Sequence, residues 1–578
     1  MNRAWLVLLG LIAAGLAAGW FYFERGRPAS SGTNPPAASG STGAPSNRAS
    51  QATSRDSGAP LVFRAVELPF RYERGDSGVA LPVEPVGGGV GIADFDGDGL
   101  ADLFFAQGVP LPLGDPPRGP PDALLRNAGG QRFDDVSPAA GLDASRGYGI
   151  GVAVADFDND GFPDVYVTRY GANTIYRNEG DGRFRDVTAS AGVGCPLWSL
   201  GAAFADIDND GDLDLFVANY FSFDPSQAPF ARDPVTGAAE YGAPETFDGQ
   251  PDVLYRNDGD GRFSDASAAA GINDPGRGMG VLATDFDGDG WIDIFVAKDA
   301  QKNSLWRNTG GGSFQNVALE WGVALNAEGQ TEANMGIAYG DTDGDGQMEV
   351  LVSHLVNEHD TLWRAKTVEP GRVMFRDETF EAGLGLDSRP FTGWGTALGD
   401  FDQDSGLDLI VVNGHIKREA NQPFAYENPP ILWHNRGRFA NVTAGAGPYF
   451  QTHHQARGLA AGDLDGDGDL DLVVVHHHAP SVVLWNESPQ QGRHLSVRLR
   501  GTRGPRDAIG ARVVASVGGR SSVRTLDGGG SYVSSHDPRV HFGLGAATRV
   551  DELTVRWPSG RAESMTNLPA DQLIHLKE

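Results

Sequence analysis

One cysteine, Cys195, occurs in 578 residues. That excludes an intramolecular disulfide framework and any zinc site built on several cysteines, and it leaves the redox compartment undecided. Positive charge is also scarce. Against 76 Asp+Glu stand 46 Lys+Arg, a formal net charge of −30, so a polyanion-binding surface over the whole molecule is excluded unless bound cations neutralise the acid. Nucleic acid is therefore not an expected partner. Catalytic signatures are missing as well: the chain has no nucleophile elbow, Walker loop or HExxH. What it has instead is 80 Gly and 35 Pro with no collagen period, which points to many turns and short strands, and a length too great for one core.

The run Ala4 to Phe23 is uncharged and, at ~1.5 Å per residue, matches a ~30 Å hydrocarbon layer. A single hydrophobic helix is expected within residues 1–24, as a signal-anchor or a cleaved signal peptide. Trp20-Phe21-Tyr22-Phe23 resembles an interfacial aromatic belt, which favours an anchor. Residues 25–60, rich in Ser, Gly, Ala and Pro, cannot bury enough apolar surface to offset their ordering entropy and are expected to be a disordered linker.

A nine-residue pattern, DxDxDGxxD, begins at Asp94 and recurs at Asp156, Asp206, Asp285, Asp341, Asp400 and Asp463. The acids at positions 1, 3, 5 and 9 are Asp94, Asp96, Asp98 and Asp102; Asp156, Asp158, Asp160 and Asp164; Asp206, Asp208, Asp210 and Asp214; and Asp285, Asp287, Asp289 and Asp293. They continue as Asp341, Asp343, Asp345 and Glu349; Asp400, Asp402, Asp404 and Asp408; and Asp463, Asp465, Asp467 and Asp471. Carboxylates crowded in a tight turn repel one another, and a hard divalent ion seeking six to eight oxygens relieves that repulsion. Up to seven Ca2+ ions are expected, with position 7 offering its carbonyl and Gly at position 6 allowing the turn. Solvated Asx turns are the alternative. An EF-hand would need Glu at position 12 and flanking helices; here positions 10 to 12 are apolar, such as Leu103-Phe104-Phe105, and read as buried strands. Two copies deviate: Glu349 replaces the ninth Asp, and Ser405-Gly406 shifts the glycine by one.

Between the loops a second pattern recurs, Leu125-Arg126-Asn127, Tyr176-Arg177-Asn178, Tyr255-Arg256-Asn257 and Trp306-Arg307-Asn308, each followed by a turn and a Phe-led strand. With the strands flanking each loop this makes four antiparallel strands per repeat, the content of a propeller blade. The expected fold is all-β: a seven-bladed β-propeller with calcium loops over residues 61–490. Leu61 to Leu68 would supply the last blade's missing strand and close the ring. The longest interval holds Phe221 to Gln250, read as a surface insertion where specificity resides.

These repeats resemble the FG-GAP/VCBS repeats of integrin-α-type propellers, whose calcium loops join the first and second strands of a blade. From residue 491 the charge reverses, with 13 Arg+Lys against 8 Asp+Glu, and alternating stretches suggest a small β-sandwich-like domain. Ile509 to Val513, Gly530 to Ser534, His541 to Gly545 and Val555 to Gly560 resemble the ASPIC/UnbV domain. Together the two parts are similar to the cartilage acidic protein family, as a bacterial relative. The resemblance implies an exported calcium-binding protein in the periplasm or at the cell surface, membrane-attached through the N-terminal segment only. The basic module is expected to dock on the acidic propeller or to bind an external polyanion.

Seven histidines, His354, His415, His453, His454, His476, His477 and His478, fall at strand ends opposite the acidic loops, near the expected channel mouth. They form a second candidate site for a transition metal or ligand; the alternative is seven unrelated loop residues. Two functions follow. One is a calcium-rigidified binding or adhesion module for an extracellular protein or glycan. The other is a propeller enzyme acting on a cell-surface polymer through the histidine-rich mouth.

Overall fold

In the computed structural model, which describes residues 61–114, 117–233, 237–259, 261–416, 426–489 and 492–578, the apolar triplet behind every acidic loop is the fully buried second strand of an antiparallel sheet. Its flanking strands come from the recurrent motifs. Sheet I is Val90–Ala93, Asp102–Phe105, Ala123–Asn127 and Phe133–Asp135, paired in that order. Sheets II to VI repeat the meander, starting at Tyr148, Ser199, Gly278, Ile337 and Gly393. Sheet VII takes Ala456–Gly462, Asp471–His476 and Pro480–Asn486 from one end of the chain and Phe63–Arg71 from the other. Phe63 pairs with Asn486 and Val66 with Val483, so the strand beginning at Phe63 completes sheet VII as the sequence leads one to expect.

The first strands of consecutive sheets pack on one another, and that of sheet VII packs on that of sheet I, giving a closed, β-propeller-like succession among the described residues. Seven glycines make this approach possible. A Cβ at Gly151 would lie 2.7 Å from the Leu200 carbonyl oxygen, at Gly201 2.4 Å from that of Met279, and at Gly458 2.1 Å from that of Gly88. Gly89, Gly280, Gly336 and Gly395 stand equally close to the next sheet. Any larger residue would push the neighbouring backbone away. A second lock is the motif asparagine. The Asn178 side-chain amide donates to the Phe95 carbonyl at 2.8 Å, Asn308 to Ile207 at 2.7 Å and Asn486 to Phe401 at 2.8 Å, each reaching the acidic loop of the preceding sheet. Asn127 donates to Leu464 of the last loop at 2.7 Å and so ties sheet I to sheet VII.

The C-terminal residues form two sheets around one core of Leu495, Val497, Val513, Phe542, Leu553 and Trp557. They belong to the same compact unit, residues 58–578, as the seven sheets. The connection is intimate, because Gly528–Gly529 adds a strand to sheet IV and the segment behind it runs through the centre of the ring. Ser531 donates through Oγ to the Leu459 carbonyl, and the backbone N–H of Gly530 donates to that of Val281. The Val533 carbonyl accepts from the Val152 N–H, the Ser534 hydroxyl from the Val90 N–H, and the Ser531 hydroxyl from the Thr396 N–H. Ile337 pairs with Ser531, and a Cβ on Gly529 would touch Ala203. All seven first strands thus touch this one segment. Among the described residues no helix is long and apolar enough to cross a membrane, and the run Ala4 to Phe23 and the linker of residues 25–60 lie outside them.

Candidate metal centres in the acidic loops

Each acidic loop joins the first strand of a sheet to the second, so all of them lie at one end of the sheets. Their internal hydrogen bonding repeats. One oxygen of the first Asp accepts from the backbone N–H at position 6: Gly99 to Asp94 at 3.1 Å, Gly161 to Asp156 at 2.7 Å, Gly290 to Asp285 at 2.9 Å. Position 6 is left-handed, with φ 92° at Gly99 and 102° at Gly161. In the sixth loop Ser405 adopts the same conformation, φ 81°, and gives the same bond to Asp400 at 2.9 Å. The shifted glycine therefore leaves the loop geometry intact.

The ninth acid faces inward. Asp102 accepts from the Phe95 N–H at 3.1 Å and the Asn127 N–H at 2.8 Å, and Glu349 takes the N–H and hydroxyl of Thr342 at 2.7 Å each. What remains unsatisfied identifies the chemistry. Asp94 Oδ1, Asp156 Oδ1 and Asp400 Oδ1 at position 1, and Asp208 Oδ1 and Asp465 Oδ1 at position 3, are buried with no hydrogen-bond donor. Carboxylate oxygens of Asp94, Asp96 and Asp102 lie within 4.8 Å of one another, as do those of Asp156, Asp158 and Asp164, of Asp206, Asp208 and Asp210, and of Asp285, Asp287 and Asp289. Burial, reinforced by neighbouring carboxylates, pushes Asp102 and Asp206 up to about 7 and Asp156 and Asp400 up to about 8. Convergent oxygen donors fit a hard divalent cation.

A role that sequence reasoning missed belongs to the arginine of the Arg-Asn motif. Arg126 Nε lies 2.9 Å from Asp96, Arg177 Nε 2.6 Å from Asp158 and Arg307 Nε 2.6 Å from Asp287; Arg364, at the same strand position but followed by Ala365, has its Nε 3.1 Å from Asp343. Each clamps position 3 of its own loop from the adjoining strand, and the recurrence of the motif was the available signal. In the sixth sheet His434 stands there instead, its Nε2 3.1 Å from Asp402 and 3.4 Å from Asp404, and these two carboxylates push it up to about 10 despite burial.

The basic C-terminal module covers this end. Arg498 lies 3.6 Å from Asp94 and Arg512 donates to the Gly346 carbonyl at 2.9 Å. Arg539 donates to the Asp463 carbonyl, the Arg506 N–H donates to Asn159 Oδ1 at 2.9 Å, and Asp507 accepts the Asp156 N–H. Of the two expectations for that module, docking on the acidic end is the one the contacts realise.

At the other end the channel is filled. Tyr532, at the tip of the C-terminal segment, is fully buried and donates to the Val86 carbonyl at 2.8 Å, its ring 4.8 Å from that of Trp394. The insertion packs Phe221 and Phe223 onto Trp198, with Phe223 also on Tyr170 and Phe247 stacked on Phe221, and its Tyr241 donates to Glu84 at 3.1 Å. Most of the histidines are engaged by neighbouring side chains and carbonyls. His476 holds Tyr449 Oη and the Pro480 carbonyl at 2.8 Å, His454 stacks on Tyr449 and His476, and His477 stacks on Tyr72 and meets the Gly87 carbonyl at 2.8 Å. His415 meets Thr392 at 3.0 Å and His478 meets Arg74 at 3.1 Å, while His453 sits beside His454. His354 alone of the seven lies against buried carboxylates.

Ring-forming four-stranded repeats with one acidic loop apiece define a class of repeat propellers, and comparison with known families agrees. The FG-GAP-like repeat profile matches residues 94–167, 156–217, 242–296, 285–352 and 420–474, and the ASPIC and UnbV profile matches residues 501–578. The chain belongs to the family that joins FG-GAP repeats to an ASPIC/UnbV domain. It is 27% identical over 305 residues to cartilage acidic protein 1 of Homo sapiens, covering 52% of this chain and 44% of that protein. Cartilage acidic protein 1 of Xenopus tropicalis gives 27% over 312 residues with the same coverage, and that of Mus musculus 25% over 500 residues, 82% of this chain and 71% of the relative. The chain thus spans under half the length of the human and frog relatives in these alignments. Among solved structures it is similar to an Agrocybe aegerita lectin recognising terminal N-acetylglucosamine (TM-score 0.36, 17% identity, 66% of this chain and 81% of that one). It is also similar to YCF48 bound to D1 peptide (0.39, 7%, 74% and 97%) and the V. cholerae biofilm matrix protein Bap1 (0.28, 13%, 88% and 76%).

Proposed function

We propose that the chain is a seven-bladed β-propeller carrying up to seven Ca2+ ions, exported and tethered to the membrane by its N-terminal segment, which binds an extracellular protein or glycan. The blades would occupy residues 61–490 and the ASPIC/UnbV module residues 491–578. Carboxylates at positions 1, 3, 5 and 9 of each loop would hold the ion, with the carbonyl at position 7; bound there, it supplies charge neutralisation and cross-linking rather than a reacting group. The observation that carries this reading is the set of buried carboxylate oxygens without donors, repeated at the same loop positions. Sites of this type fill at the ~10⁻⁴ to 10⁻³ M affinities of extracellular modules, which favours a location outside the cytoplasm.

Because the C-terminal module covers the loop end, the recognition surface is assigned to the opposite end, where the insertion from Phe221 to Gln250 lies over the rim. The alternative, an enzyme acting on a cell-surface polymer, loses support where His415, His454, His476 and His477 are engaged with neighbouring side chains and carbonyls. A glycan and protein array probed with the chain in calcium, and with a variant whose Ser222–Asp248 segment is replaced by a short Gly/Ser linker, tests the assignment. Loss of the ligand with retained thermal stability supports it. Undiminished binding by the variant, or turnover of the captured ligand, overturns it.

A further inference from the structure

Five residues past the ninth loop position, within three residues of the end of each second strand, the chain is on the side away from the acidic loops. The backbone N–H there donates to a side chain at the head of the third strand: Gln107 to Asp122 at 2.9 Å, Arg169 to Asn173 at 2.8 Å, Asn219 to Asp252 at 3.0 Å, Lys298 to Asn303 at 3.0 Å and His354 to Asp360 at 3.1 Å. Where the acceptor is a buried aspartate, the next sheet answers it with a buried cation. Arg169 pairs with Asp122 at 2.5 Å, and Lys298 Nζ comes within 4.0 Å of Asp252. Asp360 breaks the rule. Its counterpart in the next sheet is Asn413, uncharged, and both Asp360 Oδ2 and Asn413 Oδ1 are buried without a donor.

Two more carboxylates gather at this one position. Glu332 Oε2 lies 3.5 Å from His354 Nε2. Glu358 Oε2 accepts from the N–H groups of Ala333 and Leu355, at 3.0 and 3.2 Å, the residues following Glu332 and His354. No Arg or Lys comes within ion-pair distance of Glu332, Glu358 or Asp360 among the described residues, and His354 is fully buried with neither ring nitrogen hydrogen-bonded. The Nδ1 of neighbouring His359 is likewise buried and unpartnered.

We propose that His354, Glu332, Glu358 and Asp360 bind one first-row divalent transition-metal ion at the end of sheet V remote from the acidic loops. An imidazole among carboxylates suits Mn2+, Fe2+, Co2+ or Zn2+ better than calcium, which favours oxygen donors alone. The ion takes the place that Arg169 and Lys298 fill elsewhere in the ring. Glu358, only half-buried, marks the way in from solvent.

The test is elemental analysis of the full chain, produced in medium supplemented with manganese, cobalt and zinc and dialysed against excess calcium, which keeps the acidic loops filled. One transition ion per chain is expected in the wild type, with visible absorption when that ion is cobalt. His354→Asn and Glu358→Gln should each lower its content about tenfold or more, whereas His454→Ala should retain it. Thermal melts in calcium identify which variants are folded. Wild-type protein free of such ions, or a folded His354→Asn or Glu358→Gln variant that keeps the full equivalent, overturns the proposal. This outcome is independent of calcium binding, because the acidic loops contribute none of the four residues.

Discussion

At the loop end of the sheets Asp94, Asp156 and Asp400 each keep a buried carboxylate oxygen with no donor, whereas at the far end Asp122 meets Arg169 of the next sheet and Asp252 has Lys298 nearby. The same strands join the two ends, so the difference is not one of fold. Where Arg169 and Lys298 stand, far-end charge is met by the chain itself and is indifferent to calcium; Asp360 of sheet V, with no such cation, is the exception. Near-end charge is only half met, by clamping residues such as Arg177 and by the arginines of the C-terminal module, and waits for an external cation. Chelation probes this contrast most severely. An ion held only by the folded state stabilises it by about 2.7 kcal/mol per site at a hundredfold excess over Kd. Calorimetry with and without a strong chelator should therefore show a fall in Tm on the order of 10 °C or more. An unchanged Tm would abolish the distinction between the ends.

The pH dependence should invert with calcium. Without the ion, Asp102 and Asp206 titrate near 7 and Asp156 and Asp400 near 8 in the folded chain, all raised by burial above the usual aspartate value. Between about pH 4 and 8 the folded state then holds more protons than the unfolded one, so stability present at the acid end is lost as pH rises through 7 to 8. Chelated protein should melt lower at pH 8 than at pH 5. Calcium binds the ionised carboxylates, so the saturated protein should lose stability toward pH 5 instead. Denaturant titrations at the two pH values, in calcium and in chelator, read both slopes; parallel slopes would sink the account of the loops.

Much of the near end is legible in the sequence because it is local. Four acids, a turn residue and an apolar triplet fit in a dozen residues, and the closing strand betrays itself by the Phe-x-x-Val spacing at Phe63 to Val66. What local pattern does not show is which distant groups meet. Ser531, Tyr532 and Ser534 follow three consecutive glycines, yet their partners lie up to 446 positions away in the sequence. The histidines at strand ends share a position without sharing partners, since His476 finds Tyr449 while His354 finds Glu332. Arg126 and its equivalents were visible as a motif, but their contact with position 3 depends on strand pairing across the sheet.

Removing a far-end cation should cost less than chelation and be blind to calcium. Arg169→Ala leaves Asp122 buried, with only Tyr176 Oη at 2.9 Å and the Gln107 N–H as partners. Breaking such a pair costs about 3–5 kcal/mol because an uncompensated charge remains. Denaturant unfolding should show that loss equally in calcium and in chelator. A loss that appears only in chelator would mean that the two ends are coupled, and the contrast would need redrawing.

The smallest effect sharpens the comparison within the near end itself. Six loops place glycine at position 6, while Ser405 holds the same left-handed conformation at φ 81°. A residue with a Cβ is strained there by roughly 1–2 kcal/mol, and replacing it by glycine gives back part of that gain through the greater freedom of the unfolded chain. Ser405→Gly should therefore stabilise the fold by about 0.5–1 kcal/mol. The bond from this N–H to Asp400 is retained, so calcium affinity should stay the same. Equilibrium unfolding gives the first quantity and calcium titration the second. Destabilisation by Ser405→Gly would show that the serine makes a contact worth more than its strain, and that the sixth loop is a different kind of site from the other six rather than a strained copy of them.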